Sequence, residues 1–268
     1  MPRAAFVTGG SSGIGLAAAH QLAAKGHDLA LFARDADKLV TAQTALLAAH
    51  PKLRVMTYSV DVSDSDALTQ AVATAITDLG TPEIAIASAG IAVPGLFIEQ
   101  PAQLHHDHMA ANYFGSLTFV QALIDPMRVA GGGQIGLISS GAAFFGIYGY
   151  SAYAPSKFAL RGLAEVLRIE LAELGIGVTL CYPPDTDTPQ LASEKKTKPA
   201  ATQMITEGGG LWSAPDVARK LLHGMARNRF IVAPGMQMAA LNVLGSLIAP
   251  LLRLHQTRIL RKLARRTK

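Results

Sequence analysis

Tyr153 and Lys157 place a phenol and an ammonium four residues apart in Tyr153-Ala154-Pro155-Ser156-Lys157. On a helix that spacing puts both side chains on one face. Pro155 suits the first turn, where its missing N–H has no intrahelical partner. A free phenol has a pKa of about 10 and is a poor proton donor or acceptor at neutral pH, but a neighbouring cation favours the phenolate. The expected chemistry is therefore proton transfer by Tyr153, with Lys157 lowering its pKa. Five residues alone describe a surface pair equally well, so the elements that hold them decide.

Apolar strand-like runs at 4–7, 29–33, 55–59, 84–87, 134–138, 178–182 and 230–233 alternate with helical periods at 14–24, 37–49, 66–79, 103–127, 153–174 and 215–226. Gly26, Gly80 and Gly175 stand where helix C-caps belong. Continuous apolar strands separated by helices predict a doubly wound α/β fold, with a parallel sheet covered on both faces. The first strand runs into Thr8-Gly9-Gly10-Ser11-Ser12-Gly13-Ile14-Gly15. There glycines let the backbone approach a pyrophosphate, and the helix N-terminus stabilises its charge. The second strand ends in Phe32-Ala33-Arg34, with no acid for a ribose 2′-hydroxyl. The Arg34 guanidinium suits a 2′-phosphate, so NADPH is expected over NADH. Asp35 and Asp37 fit the cap of the next helix.

These residues together resemble the short-chain dehydrogenase/reductases over residues 4–235. The resemblance implies a cofactor turn at Thr8, Gly9, Ser11, Ser12, Gly13, Ile14 and Gly15, and an adenine contact at Asp61 and Val62. It implies further cofactor contacts at Ala89, Gly90, Pro183, Thr186 and Thr188, besides Tyr153 and Lys157. Its catalytic set is Asn112, Ser140, Tyr153 and Lys157. Tyr153 is the general acid, Ser140 orients the carbonyl, Lys157 also holds the nicotinamide ribose, and Asn112 anchors a water linking Lys157 to solvent. Two departures stand out. Ser88-Ala89-Gly90 replaces the usual Asn-Ala-Gly, which puts support of the central strand in doubt. Tyr182-Pro183-Pro184-Asp185-Thr186-Asp187-Thr188-Pro189 replaces the usual Pro-Gly. That octet, with Thr197-Lys198-Pro199 and Phe158-Ala159-x-Arg161-Gly162-Leu163-Ala164-Glu165, is similar to the reductases of 3-ketodihydrosphingosine. It implies a long-chain lipid ketone substrate. Asp185 and Asp187 would then either favour a substrate amine or merely shape a rigid turn. The alternatives are another hydrophobic carbonyl (steroid, retinoid or acyl chain) and a cofactor-binding regulator without turnover.

With 268 residues, half of them apolar and 16% charged, the chain can bury a large core. The single Cys181 excludes an internal disulfide and reads as a small core residue. Met1-Pro2-Arg3 leads directly into the first strand, so the expected location is cytoplasmic. The set of three histidines, His105, His106 and His108, reads as a solvated helix start rather than a metal site. Residues 185–212 read as a substrate loop, followed by a helix capped by Ser213 with Pro215 in its first turn. A reductase domain over 1–235 and an extension over 236–268 are expected.

The extension is apolar from Met236 to Leu252 and then carries Arg253, Arg258, Arg261, Lys262, Arg265, Arg266 and Lys268 with no acid. Removing those seven charges from the total of +5 leaves −2, so the basic character belongs to the tail. Nothing around it suggests nucleic acid. The apolar run is shorter than a membrane span and contains Asn242, Gly245 and Pro250. The expectation is peripheral contact with a membrane surface, against packing on the cleft or on another subunit of a homo-oligomer.

Overall fold

The computed structural model describes residues 3–206 and 210–266. Strands β1 (Arg3–Thr8), β2 (His27–Ala33), β3 (Val55–Ser59), β4 (Pro82–Ala87), β5 (Gly133–Ile138) and β6 (Ile176–Cys181) lie parallel in one sheet. Two short strands, β7 (Thr186–Asp187) and β8 (Trp212–Ser213), pair with each other outside it. The last strand, β9 (Ile231–Val232), completes the sheet in the order β3-β2-β1-β4-β5-β6-β9. The chain reverses its winding between β1 and β4, and the crevice at such a switch point is where doubly wound sheets take ligands.

The helices are α1 (Gly13–Ala23), α2 (Ala36–Ala49), α3 (Ser65–Leu79), α4 (Ala102–His108), α5 (Gly115–Val129), α6 (Tyr153–Glu170), α7 (Pro189–Glu194), α8 (Ala200–Thr206), α9 (Ala214–Ala226) and α10 (Met236–Arg266). Alternation along the strands divides the core. Phe6 and Phe32 face Leu68, Phe119, Leu123 and Leu160. Val7, Leu29 and Leu31 face Ala18, Leu22, Leu46 and Leu221. Cys181 is buried in the second layer, where burial raises its thiol to about 12.

The caps expected from sequence form. Asp35 accepts the Lys38 N–H at 3.0 Å, Ser213 accepts the Asp216 N–H at 3.1 Å, and Pro215 lies in the first turn of α9. Gly26, Gly80 and Gly175 all have positive φ. The helix expected over 153–174 ends at Glu170, and its last turn tightens to a 3₁₀ turn at Ala172–Leu174 before Gly175.

Three segments differ from expectation. The helix expected over 103–127 is interrupted by a π-helical turn, Met109–Phe114, which holds Asn112; such widened turns inside α-helices are frequently found at functional sites. The stretch 185–212 is built from α7, α8 and the β7–β8 pair rather than from loop alone, and 207–209 lie outside the described residues. The tail forms one helix of 31 residues that continues through Asn242, Gly245 and Pro250. Among the described residues, Met236–Arg265 is long and apolar enough to cross a membrane by length and composition, so the expectation of too short a run is corrected.

Candidate active site

The cofactor turn is shaped by close backbone approach. Gly9 has φ +66°, and a Cβ there would lie 2.9 Å from Ala89 N. A Cβ on Gly15 would collide with the Gly9 carbonyl oxygen. The Thr8 hydroxyl accepts the Ser88 and Ala89 N–H groups at 3.1 and 3.2 Å. It thus ties the end of β4 to β1, so the local support that Ser88 put in doubt comes from the neighbouring strand. Gly90 keeps the next step open, because a Cβ there would meet Asn112 Oδ1 at 2.7 Å and Lys157 Nζ at 3.6 Å.

A cavity of about 560 Å³ begins at this turn and runs over the C-terminal ends of the strands. Gly9, Ser12, Gly13, Ile14, Arg34, Ala89, Gly90, Ser140, Tyr153, Lys157, Pro183, Thr186 and Thr188 all line it. Thr8, Ser11, Gly15, Asp61, Val62 and Asn112 are not among its lining residues. Thr8 and Gly15 shape the turn from behind, Val62 is buried in the core, and Asn112 stands behind Gly90. Arg34 is two-thirds exposed at the mouth, with Nη1 3.6 Å from Asp61 Oδ2. Burial raises the Asp61 carboxyl, but hydrogen bonds from Ser63 and the Arg34 charge outweigh it and hold the group below its ordinary value. Lys38 also lines the cavity. Its position, one turn into α2, pairs its ammonium with Asp35 Oδ2 at 3.0 Å.

Ser140 caps a short 3₁₀ turn, Gly141–Ala143, by accepting the Ala142 N–H at 3.2 Å, and its hydroxyl stands close enough to Tyr153 to lower the phenol. Lys157 is buried one helical turn further on, with Nζ donating to Ile138 O at 3.0 Å and lying 5.7 Å from the centre of the Tyr153 ring. Burial lowers the ammonium to about 8, partly offset by Glu194. The phenol expected to lie below its ordinary value lies above it in the chain alone. Burial and the nearby Glu194 and Asp185 charges raise Tyr153, and the Ser140 hydrogen bond offsets them only in part. Tyr153 is therefore a protonated donor at neutral pH.

The Asn112 amide is committed to protein groups. Oδ1 accepts the Ile91 N–H at 2.7 Å, while Nδ2 donates to Ile91 O at 3.0 Å and to Ser156 Oγ at 2.9 Å. Ser156 in turn donates to Tyr153 O at 2.7 Å. The side chain thus braces the first turn of α6 and has no amide hydrogen left for a water. His108 corrects a second expectation. It is fully buried rather than solvated, and its ring packs edge-on to Tyr153 at 6.3 Å. Its Nδ1–H donates to Leu104 O at 2.7 Å and Nε2 accepts the Val93 N–H at 3.1 Å, which assigns the neutral tautomer. Burial lowers its pKa.

The far wall is formed by residues 183–194 and the tail. Thr186 donates to Pro184 O at 2.8 Å, and Thr188 accepts the Leu191 N–H to cap α7. Asp187 is exposed, and Asp185 faces the buried Lys198 ammonium at 3.8 Å. Tyr150 and Glu194, neither singled out in the sequence, also line the cavity. Met238 and Leu241 of α10 close one side of it. Gln256, further along the same helix, donates to Gly146 O at 3.0 Å and accepts the Tyr148 N–H at 2.9 Å. Of the alternatives for the tail, packing on the cleft is therefore observed.

The short chain dehydrogenase family model matches residues 3–199. A 3-dehydrosphinganine reductase of Danio rerio is 38% identical over 247 residues, covering 91% of this chain and 74% of that protein. A 3-ketodihydrosphingosine reductase of Mus musculus is 36% identical over the same shares. Among solved structures, levodione reductase superposes with a TM-score of 0.80 at 26% identity, covering 89% of this chain and 98% of that one. A short-chain dehydrogenase from Sphingobium yanoikuyae in complex with NADPH gives 0.79 at 25% identity, covering 94% and 96%. Carried by the glycine turn, the Ser140, Tyr153 and Lys157 constellation and these similarities, the conclusion is that the chain belongs to the short-chain dehydrogenase family of oxidoreductases.

Proposed function

We propose that the protein is an NADPH-dependent reductase of a long-chain lipid ketone, 3-ketodihydrosphingosine to dihydrosphingosine. One observation carries the reading: a single cavity joins the Arg34 mouth, the Ser140 and Tyr153 hydroxyls, and an apolar wall from the tail helix. The relatives named for this reaction support the substrate, and the bound NADPH of the Sphingobium protein supports the cofactor.

The residues fit that cofactor. Glycines at 9, 13 and 15 clear the backbone for a pyrophosphate, and Arg34 with Lys38 places positive charge where a 2′-phosphate would sit. Thr186, Thr188, Ala89 and Gly90 would line the nicotinamide end. NADPH, when bound, supplies the hydride for the carbonyl carbon. Ser140 donates a hydrogen bond to the carbonyl oxygen, where negative charge develops. Tyr153 gives its proton to that oxygen, and the buried Lys157 ammonium stabilises the phenolate left behind. Asn112 and His108 act on Tyr153 by position.

Residues 1–235 would serve as the reductase body and 236–268 as an extension that joins the cleft to a membrane. Met238, Leu241, Ile248 and Leu252 face the protein. Val243, Leu247, Leu251 and Leu254 are exposed on the other side, followed by exposed Arg258, Arg261, Lys262 and Arg265. Lys268 lies outside the described residues. An apolar face bordered by cations suits an interface, where each basic group contributes about 1 kcal/mol near anionic lipid.

The test of function is NADPH oxidation with a ketone panel including 3-ketodihydrosphingosine. Turnover of this substrate is expected, and turnover only of unrelated carbonyls would refute the substrate. For the tail, co-sedimentation with anionic liposomes should weaken on Leu247→Asp and on neutralising Arg258, Arg261 and Lys262. Binding indifferent to both changes would refute the membrane reading.

A further inference from the structure

The cavity wall holds a carboxylate that the reduction does not use. Glu194, at the end of α7, is 7% exposed and lines the same cavity as Tyr153. Tyr150 donates to its Oε2 at 2.8 Å and Gln190 to its Oε1 at 3.1 Å. Among the described residues, no lysine or arginine nitrogen lies within 4 Å of it, whereas Asp185 takes the Lys198 ammonium at 3.8 Å. A buried charge with no cation in contact is costly. Burial accordingly raises the Glu194 pKa, and the two hydrogen bonds and the more distant Lys198 charge only partly oppose this.

The carboxylate is also close to the chemistry. Tyr150, its hydrogen-bond donor, has its ring centre 5.3 Å from that of Tyr153, and the charge of Glu194 is felt at both Tyr153 and Lys157. A substrate with an ammonium on the carbon next to its carbonyl presents the cation only two bonds from the reacting carbon. Any group that recognises it must stand beside Tyr153. Asp187 is exposed and Asp185 already faces a cation at 3.8 Å, which leaves Glu194 as the buried carboxylate on that wall with no cation in direct contact.

We propose that Glu194, held by Tyr150 and Gln190, binds the ammonium of a 2-amino ketone and so selects amino ketones over plain ketones. The proposal rests on the ketone-reductase reading above and names the group that gives it specificity. No covalent step is involved, since the ammonium and carboxylate pair without changing the reduction.

The test is calorimetric titration of the NADP-loaded protein with a short-chain, water-soluble 2-amino-1,3-diol and with the 1,3-diol lacking the amine. A buried charge-assisted pair predicts tighter binding of the amine by roughly 10- to 150-fold. Glu194→Gln, with folding checked by its melting transition, should bring the ratio of the two affinities to within about threefold. Asp185→Asn should leave most of the ratio in place. Equal affinity of the parent protein for both diols would overturn the proposal without recourse to any variant. So would a Glu194→Gln protein that keeps the full preference. Failure to reduce any ketone would refute the reductase reading, while the titration still decides the role of Glu194.

Discussion

Asn112→Ala is expected to damage the fold as well as the reaction, because its amide holds three hydrogen bonds at the point where α6 begins. The substitution strands the Ile91 N–H, bonded at 2.7 Å, and the Ile91 carbonyl, bonded at 3.0 Å, and it removes the donor to Ser156. An unsatisfied buried polar group costs about 1–3 kcal/mol. Ile91 lies at the edge of the cavity, where water can replace part of the loss, so the working figure is about 3 kcal/mol for the set. At about 2–4 °C per kcal/mol for a chain of this size, the midpoint should fall by roughly 6–12 °C in differential scanning calorimetry. Ser156→Ala removes one link of the chain and should cost about 1 kcal/mol. Activity lost with a midpoint unchanged within about 2 °C would refute the brace and return Asn112 to the role of a water anchor.

Arg34→Ala should weaken NADPH binding by roughly 10- to 150-fold, the worth of a charge-assisted contact, and leave NADH nearly unchanged in fluorescence titrations; equal loss for both would remove the 2′-phosphate role. Tyr153→Phe should lower kcat by roughly 10²- to 10⁴-fold with cofactor affinity retained, and turnover within a few-fold of the parent would exclude Tyr153 as the acid. Reduction should decline as pH rises through about 8, where the Lys157 ammonium is lost, and Lys157→Met should flatten that limb of the profile. Stability has the opposite sign. The folded pKa of Lys157 is depressed from 10.5 to about 8, so between those values the unfolded chain binds more protons and stability rises with pH, by about 3 kcal/mol in all. A denaturant midpoint that falls across that window for the parent but not for Lys157→Met would contradict the burial argument.

Local chemistry makes much of the fold legible in the sequence itself. Glycine-rich turns, Asp and Ser caps and apolar strands carry their reasons within a few residues, which is why α2, α9 and the β1 turn lie within a residue or two of where the sequence puts them. The expected catalytic set could be named because its members sit at fixed intervals on elements that were themselves legible. Glu194, Tyr150 and His108 were not. Their significance comes from contacts across 44 residues in the first two cases, and from burial against Tyr153 in the third. The π-helical turn at Asn112 is set by backbone hydrogen bonding, and no residue type between Met109 and Phe114 announces it. The sign of the Tyr153 shift is not legible in the sequence for a related reason. Sequence spacing shows the cation at Lys157, but it shows neither the burial nor the Glu194 charge that outweighs it.

Membrane contact and cleft packing compete as readings of the tail only while it is a string of apolar letters. A helix offers two sides at once, and the period of this one divides its apolar residues between them. Met238, Leu241, Ile248, Leu252 and Ile259 turn inward, with Gln256 bonded to the backbone of the segment before Tyr150. Val243, Leu247, Leu251 and Leu254 turn outward, and burying them against a single chain would leave the other set exposed. The inner face needs no lipid to be satisfied, which accounts for a helix that packs despite its length. The outer face has no partner within the described residues and borders the cations that anionic headgroups would meet. A lipid ketone leaving such a surface would encounter Met238 and Leu241 next to Ser140 and Tyr153, so one helix would both hold the enzyme at the membrane and form part of the entrance wall through which its substrate arrives.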